Sequence, residues 1–298
     1  MPISEKVRSG PGIPTIESFA SHNGTPIVID TDTGIGYVMR GDMAIVTLDG
    51  TVIVAPPSAE YFIDSADFDG TNDYLTSGAL TGAADSKLLT VVFWIRVDTW
   101  TEFARMHSNS GGGASYIRLV TSSNNGIQLY FENPAGSSTT MNIRTATSFA
   151  MAINTWYCVM ASVDMADTAK RHLYVGDTDR LSVTSYTDSL LDFTKTTWSW
   201  GGHVDGSAKI DAQIADLWFA PGQYIDFSVE ANRRKFFSST GKPVDLGASG
   251  STPTGVAPIV FHHILAGEAP ANFALNRGTG GNFTVNGTLT AGSVPPGE

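Results

Sequence analysis

The chain has 298 residues and a formal net charge of −11, from 18 basic and 29 acidic side chains. This charge argues against nucleic acid or an anionic membrane surface as a partner, since both would be repelled overall. Only 16% of the residues are charged, 42% are hydrophobic and 31 are glycine. Such a composition is typical of short strands joined by tight turns, and it argues against a disordered chain.

The start of the chain lacks the pattern of an export signal. Residues 1–17 contain no apolar stretch of the necessary length, so we expect a protein that is made in the cytoplasm and not exported by a signal peptide. No segment approaches the roughly 18 apolar residues of a membrane span, which predicts no membrane insertion. The single cysteine, Cys158, lies in an apolar run and is predicted to be a buried thiol.

Residues 1–57 differ in pattern from the rest. A start rich in proline and glycine is followed by β-like runs at 25–29 and 43–54, and Asp49-Gly50 within the second run predicts a hairpin. Pro56-Pro57 then indicates a stiff linker. A segment this short builds little core alone, so we predict that residues 1–57 form a β-rich attachment or oligomerisation segment on another chain.

Residues 58–298 are predicted to form the main domain. Strands are predicted at 88–97, 116–121, 126–132, 139–144, 156–164, 171–175, 195–200 and 210–219. Turn signals separate these strands and no helix lies between them, which indicates an all-β sandwich.

The strand at 88–97 is apolar on both faces. Alternation places Val92 and Trp94 on one face and Val91, Phe93 and Ile95 on the other. A central strand covered on both sides is therefore expected. By the same burial tendency, Trp94, Trp156 and Trp218 are predicted to be core residues rather than ligand platforms.

The last third of the chain adds one helix and more strands. A helix is predicted at 228–237, with Asp226 or Ser228 as N-cap and the basic residues 233–235 in its last turn. A strand is predicted at 259–265 and a hairpin-like pair around Asn286-Gly287. Adjacent His262 and His263 would point to opposite faces of their strand, which favours core histidines over metal ligands.

Three stretches in order resemble the laminin G-like branch of the concanavalin A-like fold. They are 68–75 (FDGTNDYL) with 89–97, then 155–164 with 172–176, and finally 210–219 (IDAQIADLWF). The resemblance implies a two-sheet jelly-roll sandwich of lectin-like type. Residues 234–247 and 276–287 also resemble segments that follow such domains in tailed-bacteriophage structural proteins, which implies a virion protein. Assembly in the host cytoplasm would explain an adhesion-type fold without a signal peptide.

These resemblances imply two functions. In the first, the protein is a decoration of the virion surface, on capsid or tail, that joins other virion proteins through residues 1–57 and forms a homo-oligomer. The alternative is a tail-fibre adsorption lectin that binds host polysaccharide with or without calcium. The sequence does not distinguish the capsid from the tail as the location of the protein, and it does not identify the glycan.

Two sets of residues are candidates for ligand binding. Five loop aromatics are candidates for exposed residues that stack on sugar rings, and the alternative is that half of them only pack at the sandwich rim: Trp100, Tyr116, Tyr186, Trp198 and Tyr224. Related domains often hold calcium at the sandwich rim, which implies a site with hard oxygen ligands from Asp69, Asn72, Asp73, Asp205 and Asp211. The alternative is that these residues only form turns. No cofactor is expected to be required.

Catalysis is not expected. Glucanases of this fold place paired carboxylates at alternate positions of one strand, so that both flank the scissile bond. That pattern is absent from the sequence. The nearest acidic spacings, Asp211 with Asp216 and Asp226 with Glu230, point to opposite faces or lie at the predicted helix start.

Overall fold

The computed structural model describes residues 7–10, 27–30, 36–39, 45–47, 52–54, 63–109, 115–121, 125–136, 139–265 and 267–295. The chain divides into two compact units, Met1–Glu60 and Tyr61–Glu298. In the first unit, one sheet joins five strands in sequence order: β1 (Val7–Gly10), β2 (Ile27–Asp30), β3 (Gly36–Met39), β4 (Ile45–Thr47) and β5 (Val52–Val54). The antiparallel pairing of β4 with β5 confirms the predicted hairpin, whose Asp49-Gly50 turn lies outside the described residues.

The second unit is a sandwich of two large sheets, as predicted. The first sheet, called sheet I here, contains in spatial order β17 (Leu181–Tyr186), β13 (Thr139–Thr145), β12 (Gly126–Glu132), β11 (Tyr116–Val120), β10 (Arg105–Asn109), β18 (Trp198–Trp200), β8 (Tyr74–Ser77) and β22 (Thr284–Asn286). All of these strands run antiparallel to their neighbours and place alternate side chains on opposite faces.

Sheet II forms the other layer. It contains β16 (Thr178–Asp179), β15 (Arg171–Val175), β14 (Trp156–Asp164), β9 (Leu88–Thr99), β19 (Asp211–Pro221), β7 (Ala66–Asp69) and β23 (Thr290–Ala291), with β20 (Val260–His262) paired to β19. A small two-stranded sheet joins β6 (Ile63–Asp64) to β21 (Ile264–Leu265). The described helices are α1 (Glu230–Arg233) and a 3-10 helix, Pro270–Ala274. Neither is long enough to cross a membrane.

Two hydrophobic cores flank sheet II. Val91, Phe93 and Ile95 of β9 point into the core between the sheets. Val92 and Trp94 point the other way, into a second cluster on the outer face of sheet II. The prediction that this strand is covered on both sides is therefore confirmed.

The remaining predicted core residues are also buried, with one partial exception. Trp218 has no exposed surface and Trp94 is 3% exposed, whereas Trp156 is half-buried against the second cluster. His262 contacts Phe273 on the side of the inter-sheet core. His263, on the other side, places Nδ1 2.5 Å from a carboxylate oxygen of buried Asp216. The prediction of core histidines on opposite faces is confirmed.

The predicted helix at 228–237 was too long. The α-helix spans Glu230–Arg233, its N-cap is Val229, and no side chain caps it. Asp226 instead accepts a hydrogen bond from the backbone of Ser228. Arg233 and Arg234 form ion pairs with Asp177, at 3.0 and 2.7 Å. These tertiary ion pairs show that the basic cluster does more than complement the helix dipole.

The predicted C-terminal hairpin around Asn286-Gly287 was wrong. β22 pairs with β8 in sheet I, whereas β23 pairs with β7 in sheet II, so the turn passes from one sheet to the other. The carboxylate of Asp73 accepts a hydrogen bond from the Thr288 amide at 2.7 Å and holds this turn against the sandwich. The predicted strand at 259–265 likewise divides into β20 and β21, and the one at 195–200 begins at Trp198.

Candidate functional site

The outer face of sheet I is polar, and strand alternation produces it. Ile117, Leu129 and Ile143 on three adjacent strands are buried in the inter-sheet core. The residues one position away therefore point outward. We call this surface the arginine–tyrosine face, and it consists of Arg105, Tyr116, Arg118, Gln128, Tyr130, Asn142 and Arg144.

The strand register arranges these side chains in two rows. In the first row, Arg105 lies opposite Arg118, which lies opposite Gln128 and then Arg144. In the second row, Tyr116, Tyr130 and Asn142 lie side by side. Because neighbouring strands are about 4.8 Å apart, each row extends across several strands without a break.

The two tyrosines of the face form a stack. The ring centroids of Tyr116 and Tyr130 are 4.7 Å apart and the ring planes differ by 4°. The Arg105 guanidinium lies 4.4 Å from the Tyr116 centroid. Since β11 lies between β10 and β12, the guanidinium and the Tyr130 ring cover opposite sides of Tyr116. Burial raises the pKa of the Tyr116 hydroxyl, so this group stays protonated as a donor at neutral pH.

A chain of hydrogen bonds links the two rows. The Nε of Arg118 donates to Oε1 of Gln128 at 2.6 Å, and Nε2 of Gln128 donates to Oδ1 of Asn142 at the same distance. These contacts fix the direction of the guanidinium and of both amides. The face thus presents ordered donors and acceptors rather than mobile surface chains.

An exposed aromatic ring stands beside the face. Phe103 precedes β10 and is 47% exposed, and the Arg118 guanidinium lies 4.3 Å from its ring centroid. Its φ of 64° is in the left-handed region, which costs a phenylalanine about 1 kcal/mol or more. Backbone strain of this kind clusters at ligand-binding positions. Phe103 was not among the residues predicted from the sequence.

Comparison with protein-family models shows to which superfamily the chain belongs. A laminin G model, described as the concanavalin A-like lectin/glucanases superfamily, matches residues 69–223, just over half of the chain. The chain belongs to this superfamily. The match begins at β7 and includes the strands β10 to β13 that carry the arginine–tyrosine face. No curated protein sequence matches the chain significantly.

Solved structures share the superfamily fold at low identity. A proposed carbohydrate binding protein from Bacteroides ovatus is 14% identical, with a TM-score of 0.55 over 93% of this chain and 71% of that one. A heptameric SAP-like pentraxin from Limulus polyphemus is 13% identical, with a TM-score of 0.47 over 77% and 94% of the two chains. Mouse laminin α1 domains LG4-5 are also 13% identical, with a TM-score of 0.39 over 62% and 50%.

Tyr116 is the one predicted sugar-stacking aromatic that lies on the arginine–tyrosine face, and it lies on a strand rather than a loop. The prediction of an exposed Trp198 was wrong, because this residue has no exposed surface and stacks on His107 in the core. Trp100 and Tyr186 pack partly buried against the same core. The Oη of Tyr224 lies 2.8 Å from Nε2 of His172 on sheet II.

The five predicted calcium ligands lie at turns and strand ends, and their part in a calcium site stays a prediction. Among the described residues, no three histidine, cysteine, aspartate or glutamate side chains are grouped so as to hold a metal ion. Asp69 and Asp211 are neighbours across β7 and β19. However, Asp69 accepts hydrogen bonds from the amides of Thr71 and Asn72, and the first of these contributes most to lowering its pKa. The alternative interpretation, a turn-forming role, describes this carboxylate.

The other acidic candidates also have internal partners. Asp205 accepts hydrogen bonds from the hydroxyl and amide of Ser207, which lower its pKa. Asp73 accepts from Thr288 and, at 3.4 Å, from the backbone of Asp69. One carboxylate oxygen each of Asp69 and Asp205 and both oxygens of Asp73 thus accept protein hydrogen bonds, whereas a Ca²⁺ site needs six to eight oxygen ligands.

A recess of about 280 Å³ lies beside β14, away from the face. Half of its ten lining residues are aromatic: Trp94, Phe149, Trp156, Tyr157 and Phe237. The other five are Cys158, Val175, Gly176, Arg180 and Gly241. Burial raises the pKa of the Cys158 thiol, so it is not an activated nucleophile. The recess therefore has no reactive group of its own.

Most residues of the arginine–tyrosine face were missed by sequence reasoning, although a signal was present. The segments YIRLV, GIQLYFE and TTMNIRT alternate large apolar residues with arginine, glutamine, tyrosine and asparagine. This alternation predicts strands with one outward polar face. Which polar residues meet across the strands depends on the register, and the sequence does not give the register.

Proposed function

We propose that this protein is a lectin-like adhesin that binds a glycan on the arginine–tyrosine face. The observation that carries the proposal is the pair of rows on this face, one rich in ordered hydrogen-bond donors and one with tyrosines. Sugar recognition combines hydrogen bonds to hydroxyl groups with contacts to aromatic rings. Phe103 supplies an exposed ring at one edge of these rows.

We propose binding rather than hydrolysis. A retaining glycosidase needs two carboxyl groups about 5–5.5 Å apart, and an inverting one needs two groups farther apart. Among the described strands β10, β11, β12, β13 and β17, Glu132 is the single acidic residue. The expected result is that no reducing sugar is released from any glycan that the protein binds; release of sugar would contradict this part of the proposal.

The proposed setting is the surface of a tailed-phage particle, with adsorption to host polysaccharide as the role of the sandwich. In this proposal residues 1–57 join the chain to other virion proteins of the capsid or tail and assemble a homo-oligomer. The support is the resemblance of residues 234–247 and 276–287 to segments of phage structural proteins. Deleting residues 1–57 should remove the protein from assembled particles, and incorporation at normal occupancy would contradict the attachment role.

The glycan proposal is tested by an array of purified polysaccharides, with variants on and off the face. Tyr130→Ala and Phe103→Ala should each weaken binding of the captured glycan roughly tenfold, since each removes an aromatic contact. Tyr224→Ala is the matched control, because Tyr224 lies in the loop after β19 and contacts His172 of sheet II, and this variant should bind as the unmodified protein does. Melting temperatures show whether each variant is folded.

Two results would contradict the glycan proposal. One is an array on which the folded protein captures no glycan. The other is a glycan whose affinity falls as much for Tyr224→Ala as for the two variants of the face, because that pattern places the site elsewhere.

A further inference from the structure

The arginine–tyrosine face carries a charge opposite to that of the whole chain. The strands β10, β11, β12, β13 and β17 contain three arginines and one acidic residue, Glu132. The complete chain has a net charge of −11. The face is thus a local positive surface on an acidic protein, and such a surface concentrates anionic ligands.

Two of these arginines lie together without an ion pair, although the charge of Asp205 acts on Arg105 from a longer distance. Arg105 and Arg118 are register partners on adjacent strands, where like charges repel. Their guanidinium groups lie 4.4 and 4.8 Å from the centroid of the same ring, Tyr116. Among the described residues neither forms an ion pair with a carboxylate. Nη1 of Arg105 is also buried and has no hydrogen-bond partner there.

Two arginines elsewhere in the second unit, Arg277 and Arg234, show the contrast. Arg277 forms an ion pair with Glu268 at 2.6 Å, and Arg234 forms one with Asp177 at 2.7 Å. In those places the fold supplies the anion. On the arginine–tyrosine face it supplies tyrosine rings and an amide instead, so the positive charge of Arg105 and Arg118 remains available to a ligand.

We propose that the glycan bound on this face is acidic, a polysaccharide with carboxylate-bearing sugar units that pair with Arg105 and Arg118. This inference rests on the proposed function, glycan binding at the same face. A planar guanidinium matches a carboxylate with two parallel hydrogen bonds. An anion placed there also relieves the repulsion between the two neighbouring arginines.

An amide lies directly beside the paired arginines. Gln128 is the register partner of Arg118, and its side chain bridges Arg118 in the first row and Asn142 in the second. Amide groups suit the hydroxyl groups of a neutral sugar unit, so the face has partners for a neutral unit next to a charged one. The Tyr116 ring offers no open face on which a nucleic-acid base could stack, because both of its sides are covered.

The test is titration calorimetry of the full chain with three acidic polymers: polygalacturonate, alginate and hyaluronate. Each is compared with its carboxyl-reduced neutral form, and dextran, dextran sulfate and single-stranded DNA complete the set. At least one acidic polymer should bind, and its carboxyl-reduced form should bind at least tenfold more weakly. Arg118→Gln should weaken binding of that acidic polymer at least tenfold, and Arg118→Lys less.

Arg171→Gln is the matched control, because the Arg171 guanidinium also lies over a tyrosine ring, that of Tyr186, but on β15 of sheet II. It should leave binding unchanged. Equal binding of acidic and reduced polymers, or binding of neutral polymers alone, would overturn the acidic preference while leaving glycan binding intact. Equal binding of DNA or dextran sulfate would show a general polyanion surface and overturn it too. Binding of no polysaccharide would refute the proposed function itself.

Discussion

The outer faces of the two sheets have opposite character. On sheet II, Val92, Trp94 and Trp218 are buried in a second hydrophobic cluster, which also contains Phe236 and Phe261 from later in the chain. On sheet I, the corresponding face carries ordered arginines, tyrosines and amides. Covering an apolar face stabilises the fold, whereas a polar face remains available for recognition. Under the proposed function, stability and binding therefore depend on separate faces of one sandwich.

The largest expected effect is a loss of stability from the covered face. Trp218→Ala removes a fully buried ring that packs edge-on against Phe236 and donates a hydrogen bond to the Gly250 carbonyl at 2.7 Å. We expect it to lower the free energy of unfolding by about 3–5 kcal/mol. Urea denaturation at neutral pH measures this change.

Tyr130→Ala measures how much a side chain of the polar face contributes to stability, for comparison with Trp218→Ala on the covered face. It should cost much less stability than Trp218→Ala, because Tyr130 is half-buried and lies outside both cores. If both variants lost the same free energy of unfolding, the separation of the two faces would be refuted.

Acidification should destabilise the core that both sheets share. Burial lowers the pKa of His107 and of His262 from 6.5 to about 3 in the folded protein. The unfolded chain therefore binds protons below pH 6.5 that the folded chain does not. Stability should be complete above pH 6.5 and fall toward pH 3, by up to about 1.4 kcal/mol per pH unit for each histidine.

Urea midpoints at pH 7, 6 and 5 test this prediction, a range in which most carboxylates remain ionised. The measured quantity is the slope of the free energy of unfolding against pH. A substitution that changes this free energy equally at every pH leaves the slope unchanged. His107→Phe and His262→Phe should each make the slope shallower between pH 6.5 and 5. An unchanged slope in both variants would show that other groups cause the acid sensitivity.

A smaller effect is expected at the turn that joins the two sheets. Gly287 has a φ of 82°, and a Cβ there would lie 2.2 Å from Oδ1 of Asp73. We expect Gly287→Ala to cost about 1–3 kcal/mol. Gly222→Ala is the matched control, because Gly222 has a φ of 81° and no atom within 4 Å of its added Cβ. Equal denaturation midpoints for the two variants would mean that the contact with Asp73 adds nothing.

The sequence predicted the framework of the sandwich better than the candidate site. The alternation in β9 and the apolar run in β14 predicted both strands and the two-sided burial of β9, because burial follows side-chain direction. The shortened helix, the crossing turn at Asn286-Gly287 and the buried Trp198 depend on partners distant in sequence. Propensity and periodicity do not specify such partners.

The same reason explains why the site was missed. Sugar-binding aromatics were predicted in loops because these residues lie near turn signals in the sequence. The arginine–tyrosine face lies instead in the middle of strands. Arg105 and Arg118 become a pair through the β10–β11 register, which contains a bulge between Arg105 and His107. A one-residue slip would turn one of them into the core, so their meeting is a property of the fold.

The smallest expected effect is that of removing calcium, which should leave glycan binding and the melting temperature unchanged. Oδ1 of Asp69 and Oδ1 of Asp205 already accept hydrogen bonds from Thr71 and Ser207, which stabilise these turns without a metal ion. Titrations in excess chelator and in excess Ca²⁺ should coincide. If the chelator abolished binding, Ca²⁺ restored it and Asp211→Asn prevented the restoration, the acidic end of β7 and β19 would be part of the site. Coincident titrations would instead support recognition without a metal, as expected where arginines and amides provide the polar contacts.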